Sequence, residues 1–452
     1  MKRCDFLLEL CCLLFMLGWA HPTFAEAYYV APDGQDGDPG NETQPWRSIQ
    51  HAADRVHPGD TVRIRAGDYY VGQGLYFRRA GTAEAPIVYR AHGDGPVRIT
   101  NSTVLSGPWK KVQHDIYSTT VPKGTECAFD GDEPLTSPGA HGFKGDTIGQ
   151  MIPGSFLVED QTLYVRLAGG ADPSARKIRA APYHAISFYE NHYNVFDGLT
   201  VEYTYNAFKR QRDTTHHVTI RNCTIRCIRS QGIQPVAKDC VIEHNLFQKI
   251  GTTKFLHGIY CGTSNTIIRY NVFEEIAGAA IHLYPTGGRS EVYGNVFRKP
   301  RKMAGGGYYG EIVAWGDGGH KIYNNVFLGG GVRYGISANS NENEIYHNTF
   351  VGCPRAIYLH EGKKGNRVQN NILVEGKIED HGRGSVISNN MQADPEFLNA
   401  ATGDVRLRPD SPAIDAGIRI PLVRTDFNRT PRPQGNAPDL GAFEFVESKE
   451  LH

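Results

Sequence analysis

The chain has 452 residues, 40% apolar side chains, and 48 Lys plus Arg against 48 Asp plus Glu. That neutral balance gives no electrostatic reason to expect a nucleic-acid partner or an anionic membrane surface. Beyond the N-terminal leader there is no run of 18 apolar residues to span a bilayer, so the mature chain is expected to be soluble and monomeric.

Residues 1–25 resemble an export signal. Met1-Lys-Arg3 is basic, Leu7 to Ala20 is mostly apolar, and Thr23-Phe-Ala25 is a small-x-small cleavage site. A secreted, periplasmic or extracellular protein is expected. Of nine cysteines, Cys4, Cys11 and Cys12 leave with that segment. The other six occupy different slots of the repeat described below, so buried free thiols are favoured over disulfides. No Cys-x-x-Cys or His-x-x-x-His pair suggests zinc.

Residues 26–104 read as an N-terminal cap and first coils. Ala27 to Val30 is a strand, Pro45 to Asp54 holds a short amphipathic helix, and Thr61 to Ile64 and Ala85 to Tyr89 are further strands. Such a helix covers the open apolar end of a stacked structure. Residues 105–182 interrupt the pattern and read as an inserted subdomain of antiparallel hairpins, with a polar loop at His141 to Gly145.

Residues 183–390 repeat. The phrases are Tyr193-Asn-Val-Phe196, His244-Asn-Leu-Phe247, Tyr270-Asn-Val-Phe273, Gly294-Asn-Val-Phe297, Asn324-Asn-Val-Phe327, His347-Asn-Thr-Phe350 and Asn370-Asn-Ile-Leu373. Cys223 takes the Asn slot between the first two. A second anchor precedes each Asn: Gly232-Ile233, Gly258-Ile259, Ala280-Ile281, Glu311-Ile312, Gly335-Ile336 and Ala356-Ile357. A period of 20–30 residues marks a solenoid, and no segment between anchors is long enough for a helix. The Leu-x-x-Leu-x-Leu frame of leucine-rich repeats is missing. Each unit is therefore three short strands, stacked so that Asn lies on Asn as a ladder of amides. Residues 391–446 close the coil, and their Asp and Glu residues, set among Pro and Gly, read as a structural tie-down rather than metal ligands.

The opening Tyr28-Tyr-Val-Ala-Pro-Asp-Gly34, Gln44-Pro-Trp-Arg-Ser-Ile-Gln50 and Pro58-Gly-Asp-Thr-Val62, with Gly81 to Tyr89, resembles that of right-handed parallel β-helix proteins of the pectin-lyase-like superfamily. Secreted polysaccharide lyases of the alginate-lyase and chondroitinase-B type open similarly. The resemblance implies an all-β, right-handed, single-stranded parallel β-helix with an N-terminal helix cap and an inserted antiparallel subdomain. It implies an extracellular polysaccharide as partner. The superfamily includes lyases, hydrolases, epimerases and adhesins, so fold alone does not choose the chemistry.

Strand neighbours alternate faces, so the residue after each anchor points outward. That column reads Ser187, Lys209, Gln234, Tyr260, His282, Val313, Ser337, Tyr358. The column two further on reads Tyr189, Gln211, Val236, Gly262, Tyr284, Trp315, Asn339, His360. This face suits a sugar chain. For a uronic-acid polymer cleaved by β-elimination, the expected roles are His282 or His257 as base, Tyr260 as acid and Lys209 as carboxylate clamp. Tyr284, Trp315, Glu311, Arg333, Tyr358 and His360 are the expected substrate contacts. The resemblance leaves Ca²⁺ open as a cofactor, although no compact Asp-rich loop is present. A glycoside hydrolase, needing two opposed carboxyl groups, and a non-catalytic polysaccharide-binding solenoid are the alternatives.

Overall fold

The computed structural model describes residues 25–137, 147–284, 288–301, 310–329 and 334–447. The expected export signal falls almost wholly, and the His141 to Gly145 loop and Arg333 wholly, outside these residues.

Short strands wind into three parallel sheets, one of twelve strands and two of ten. Each coil contributes one strand to each sheet, as in Val241–Glu243, Leu246–Ile250 and Ile259–Cys261. The chain is thus a parallel β-helix, and it is so because one coil exposes an apolar face that only the next coil can cover. The anchor residues Ile233, Ile259, Ile281, Ile312, Ile336 and Ile357 pair in register along one ten-stranded sheet. Phe247, Phe273, Phe297, Phe327 and Phe350 stack in a file with ring centroids 4.8, 5.1, 4.7 and 4.4 Å apart. Such pairs contribute about 0.5–1.5 kcal/mol each beyond burial.

The Asn residues form the expected ladder. Side-chain Nδ2 of Asn245, Asn271, Asn295, Asn325, Asn348 and Asn371 each donates to Oδ1 of the next rung at 2.8–3.0 Å, the last rung being Asn390. Each Oδ1 also accepts the backbone N–H one coil back, as Asn295 does from Asn271 at 3.0 Å. The Cys223 backbone N–H donates to Asn245 Oδ1 at 2.9 Å, so Cys223 does stand at the head of the file. Asn194 does not belong to it. It lies in the strand Asn194–Asp197, paired with Ile87, and its Nδ2 donates to the Arg79 carbonyl. The corner of that coil is Gly198, whose backbone adopts φ +76°. The phrase Tyr193 to Phe196 therefore matches the repeat out of frame.

The helix Ile49–Ala53 is N-capped by Ser48, whose Oγ accepts the His51 N–H, and it buries Ile49, Ala52 and Ala53 against the first coil. Two four-stranded sheets with antiparallel pairing lie between Thr103 and Ala181. Near the end of the chain, Arg432 and Glu444 form a fully buried ion pair at 2.6 Å. Asp426 and Asp439 accept backbone N–H groups of Thr430 and Asp415. All six described cysteines are free and buried.

Candidate functional site

The outward column forms as a physical row. Ser187 pairs with Lys209, Lys209 with Gln234, Tyr260 with His282, His282 with Val313, Val313 with Ser337, and Ser337 with Tyr358. The register slips between the strands Ile233–Val236 and Ile259–Cys261. Proline lacks the N–H a strand needs, and at Pro235 the pairing shifts so that Val236 faces Cys261. Val236, expected outward beside Gly262, is buried in the core instead.

A cleft of about 560 Å³ opens over this row. Lys209, His257, Tyr260, His282, Tyr284 and Trp315 line it together, joined by Tyr183, His184 and Tyr205 at its other end. The rings of Tyr260, Tyr284 and Trp315 stand 5.3, 5.2 and 5.7 Å from that of His282. No carboxylate of a described residue lines the cleft.

Glu311 stands apart from it. It is buried beside Ile312, and burial pushes its carboxyl up to about 8. Tyr358 and His360 also lie outside the cleft. They belong to a second aromatic group further along the same sheet, with the Tyr358 ring 4.8 Å from Tyr334 and 5.1 Å from His381. Four strand steps separate Tyr358 from Tyr260, roughly 19 Å at the usual spacing.

A polar row runs along the edge of the cleft, two residues before each anchor. Asn206 Nδ2 lies 3.2 Å from His184 Nδ1, and its Oδ1 accepts the Gln231 N–H at 2.8 Å. Gln231 Oε1 in turn accepts the His257 N–H at 2.6 Å, and His257 Nδ1 accepts the Ala279 N–H at 2.9 Å. This repeats the logic of the Asn ladder at another corner. Reading the sequence two positions before each anchor would have found it, since His184, Asn206, Gln231 and His257 recur there.

The row branches into the cleft. Asn206 Nδ2 and Lys209 Nζ both reach Gln234 Oε1, at 3.4 and 3.2 Å. His257 Nε2 meets His282 Nδ1 at 3.0 Å. Burial, aided by neighbouring Arg210, lowers the Lys209 ammonium. Burial, and then Lys209, pushes His184 down to about 4, and burial alone takes His282 to about 4. Burial, with Tyr284 adding to it, raises Tyr260, which stays a phenol. His282 Nε2 is shielded from solvent without an acceptor among the described residues, a cost of about 1–3 kcal/mol.

These hydrogen bonds bear on the expected base. A backbone N–H can only donate, so His257 Nδ1 must accept and the ring hydrogen sits on Nε2, which donates to His282 Nδ1. Both nitrogens of His257 are thus engaged, and His282 is left with a hydrogen on Nε2. Neither offers a free lone pair. Lys209, whose ammonium burial lowers, also lines the cleft and carries a lone pair on Nζ when deprotonated. Among the described residues no group of three His, Cys, Asp or Glu stands where it could hold a metal ion.

Residues 28–115 match a family model described as Pel9A-like, right handed beta helix region, and residues 164–327 match one for a right handed beta helix region. Over 79 residues the chain is 41% identical to pectate lyase PEL9 of Emericella nidulans, a stretch that is 18% of this chain and 19% of that protein. Over 82 residues it is 32% identical to the uncharacterized protein YwoF of Bacillus subtilis, 18% of this chain and 17% of that one. The matched stretches thus span less than a fifth of either relative. The crystal structure of pectate lyase Pel9A superposes with a TM-score of 0.61 at 15% identity, covering 93% of this chain and 96% of that one. XylC in complex with xylose gives 0.60 at 13%, covering 93% and 98%. With the coil topology, these matches define a right-handed parallel β-helix. The chain thus carries a Pel9A-like, right handed beta helix region and a second right handed beta helix region on one continuous coil.

Proposed function

We propose that the protein is an exported polysaccharide lyase that cleaves a uronic-acid-containing polymer by β-elimination at the cleft around Lys209 and Tyr260. The observation that carries this reading is the composition of the cleft: a lysine, three histidines and six Tyr, Phe or Trp rings, with no carboxylate of a described residue. Such a lining attracts an anionic sugar and offers rings for pyranose faces. It lacks the two carboxyl groups that hydrolysis uses.

In the proposed step the Lys209 amine takes the proton from C5 of the uronate. The C5–H electron pair moves toward the carboxylate and then forms the C4–C5 double bond as the C4–O4 bond breaks. The departing O4 takes a proton from the Tyr260 phenol. Lys209 suits the base role because burial lowers its ammonium from the ordinary lysine value, and Gln234 holds its Nζ in place. The clamp role expected for Lys209 passes to side-chain N–H groups lining the cleft, such as His282 Nε2. Pectate lyase PEL9, 41% identical over 79 residues, supports the reaction class. The export-signal-like residues 1–25 and a polymer too large to enter a cell support export.

The test is incubation of the whole protein with polygalacturonate, alginate and glycosaminoglycans. Rising ultraviolet absorbance from unsaturated uronates supports the lyase. New reducing ends without that absorbance replace it by a hydrolase, and retention on the polymer with neither replaces it by a binding protein.

A further inference from the structure

We propose that His257 is a positioning residue that fixes His282 as a neutral N–H donor, and that this donor, at Nε2, recognises a carboxylate oxygen of the substrate. The choice of ligand rests on the uronate reading above; the relay itself does not.

The relay starts at a group with no freedom. The Ala279 backbone N–H donates to His257 Nδ1 at 2.9 Å, so the His257 hydrogen is on Nε2. That hydrogen points to His282 Nδ1 at 3.0 Å, so the His282 hydrogen is on its own Nε2. Protonating either ring would set two donors against each other at one of these contacts. The approach is built into the backbone at Gly278. A Cβ there would stand 2.5 Å from the Leu256 carbonyl oxygen and 2.7 Å from His257 Nδ1, so only glycine lets His257 come this close.

What the relay delivers is a donor without an acceptor. His282 Nε2 is buried and unpartnered among the described residues, on a ring that borders the cleft between Tyr260, Tyr284 and Trp315. No described residue supplies an acceptor to this N–H and no carboxylate of a described residue lines the cleft, so an acceptor carried by a ligand would complete the contact once one of the bordering rings turns to admit it. A carboxylate fits better than a hydroxyl because it accepts and does not donate. During elimination, charge builds on those oxygens. A fixed neutral donor strengthens there without gripping the ground state as hard as a cation would.

The test uses the whole protein labelled with ¹⁵N-histidine. NMR is expected to show His282 protonated at Nε2 and bare at Nδ1. The Nε2–H resonance is expected to shift with uronate trisaccharides cut from polygalacturonate or alginate, and not with their carboxyl-reduced counterparts. His257→Asn keeps the acceptor for Ala279 but loses the donor to His282, whereas His257→Gln restores a donor at the distal position. The Asn variant is expected to bind the uronate trisaccharide roughly tenfold more weakly and to lose the tautomer preference, with recovery in the Gln variant. Thermal unfolding of both variants reports the fold. A hydrogen on His282 Nδ1, equal shifts from uronate and reduced sugar, no shift from either, or identical behaviour of the two variants would overturn the proposal. Uronate binding at His282 without any elimination product leaves the relay standing and removes the lyase.

Discussion

Lys209 and Gln234, neighbours in the outward row, are joined by a 3.2 Å hydrogen bond from Nζ to Oε1. The same Oε1 receives Nδ2 of Asn206 at 3.4 Å, so the ammonium is tethered to the polar row along the cleft edge. A lysine held this way has a defined reach, which a solvent-exposed lysine lacks.

Replacing Lys209 by Met is expected to reduce turnover at least about 100-fold while leaving the fold intact. Lys209→Arg separates base from clamp. A guanidinium keeps its charge but does not give up its proton, so the Arg variant stays as inactive as the Met variant if Lys209 is the base. Recovery with Arg would show a clamp instead. Unsaturated-product absorbance and circular dichroism are the two readouts.

The pH profile follows from the same residue. The active form is the free amine, and burial sets its titration below the ordinary lysine value of 10.5. Turnover is therefore expected to climb with pH along an alkaline limb whose midpoint lies under that value. In the Tyr260→Phe variant the residual rate, expected to be about 10²–10⁴-fold lower, should keep that limb, because the variant removes the acid and not the base.

Stability has its own pH window. Folded His184 and His282 titrate near 4, against an ordinary value of 6.5. Between those values the unfolded chain takes up protons that the folded chain refuses, so stability falls as pH drops through the window and is unaffected by these two groups above it. Urea midpoints measured from pH 7.5 to 4 should decline over that span. The decline should be shallower in a His184→Gln, His282→Gln double variant.

Cutting one rung of the Asn ladder leaves several buried groups unpaired at once. Asn295→Ala strands the Asn271 N–H, the Asn271 side-chain amide and the Ile268 carbonyl, a loss on the order of 3 kcal/mol. Asn390→Ala, at the half-buried last rung, should cost under about 1 kcal/mol. Chemical denaturation of the two variants side by side checks the contrast.

Burial pushes the thiols of Cys223, Cys227, Cys240 and Cys353 up to about 12. They are expected to ignore a thiol reagent in the native protein and to react only on unfolding. Reductant should leave the melting temperature unchanged.

The architecture was legible in the amino-acid sequence because stacking places like residues in like slots. Asn245 to Asn371, Phe247 to Phe350 and the anchor Ile residues each mark one file, and counting between them sets the register. What was lost had local causes. Asn194 mimics the repeated phrase but sits on a strand, because the coil turns at Gly198. Val236 changes faces because Pro235 cannot join the hydrogen-bonded ladder. His184, Asn206 and Gln231 do not stand out because three kinds of side chain, His, Asn and Gln, serve one position, and identity matching does not register them. The tautomers of His257 and His282 depend on a backbone donor from the next coil, which no one-dimensional pattern displays.

The pairing of Ser187, Lys209 and Gln234, and of Tyr260, His282 and Val313, in two runs of one row has a consequence for how such a protein diversifies. Every turn of the spiral donates one tooth to the working edge, and neighbouring turns interlock through the same Asn, Phe and Ile whatever that tooth is. Exchanging a single turn for a homologous one would thus alter what the edge grips at one point and spare the scaffold. The molecule is organised like a comb whose teeth can be recut one at a time.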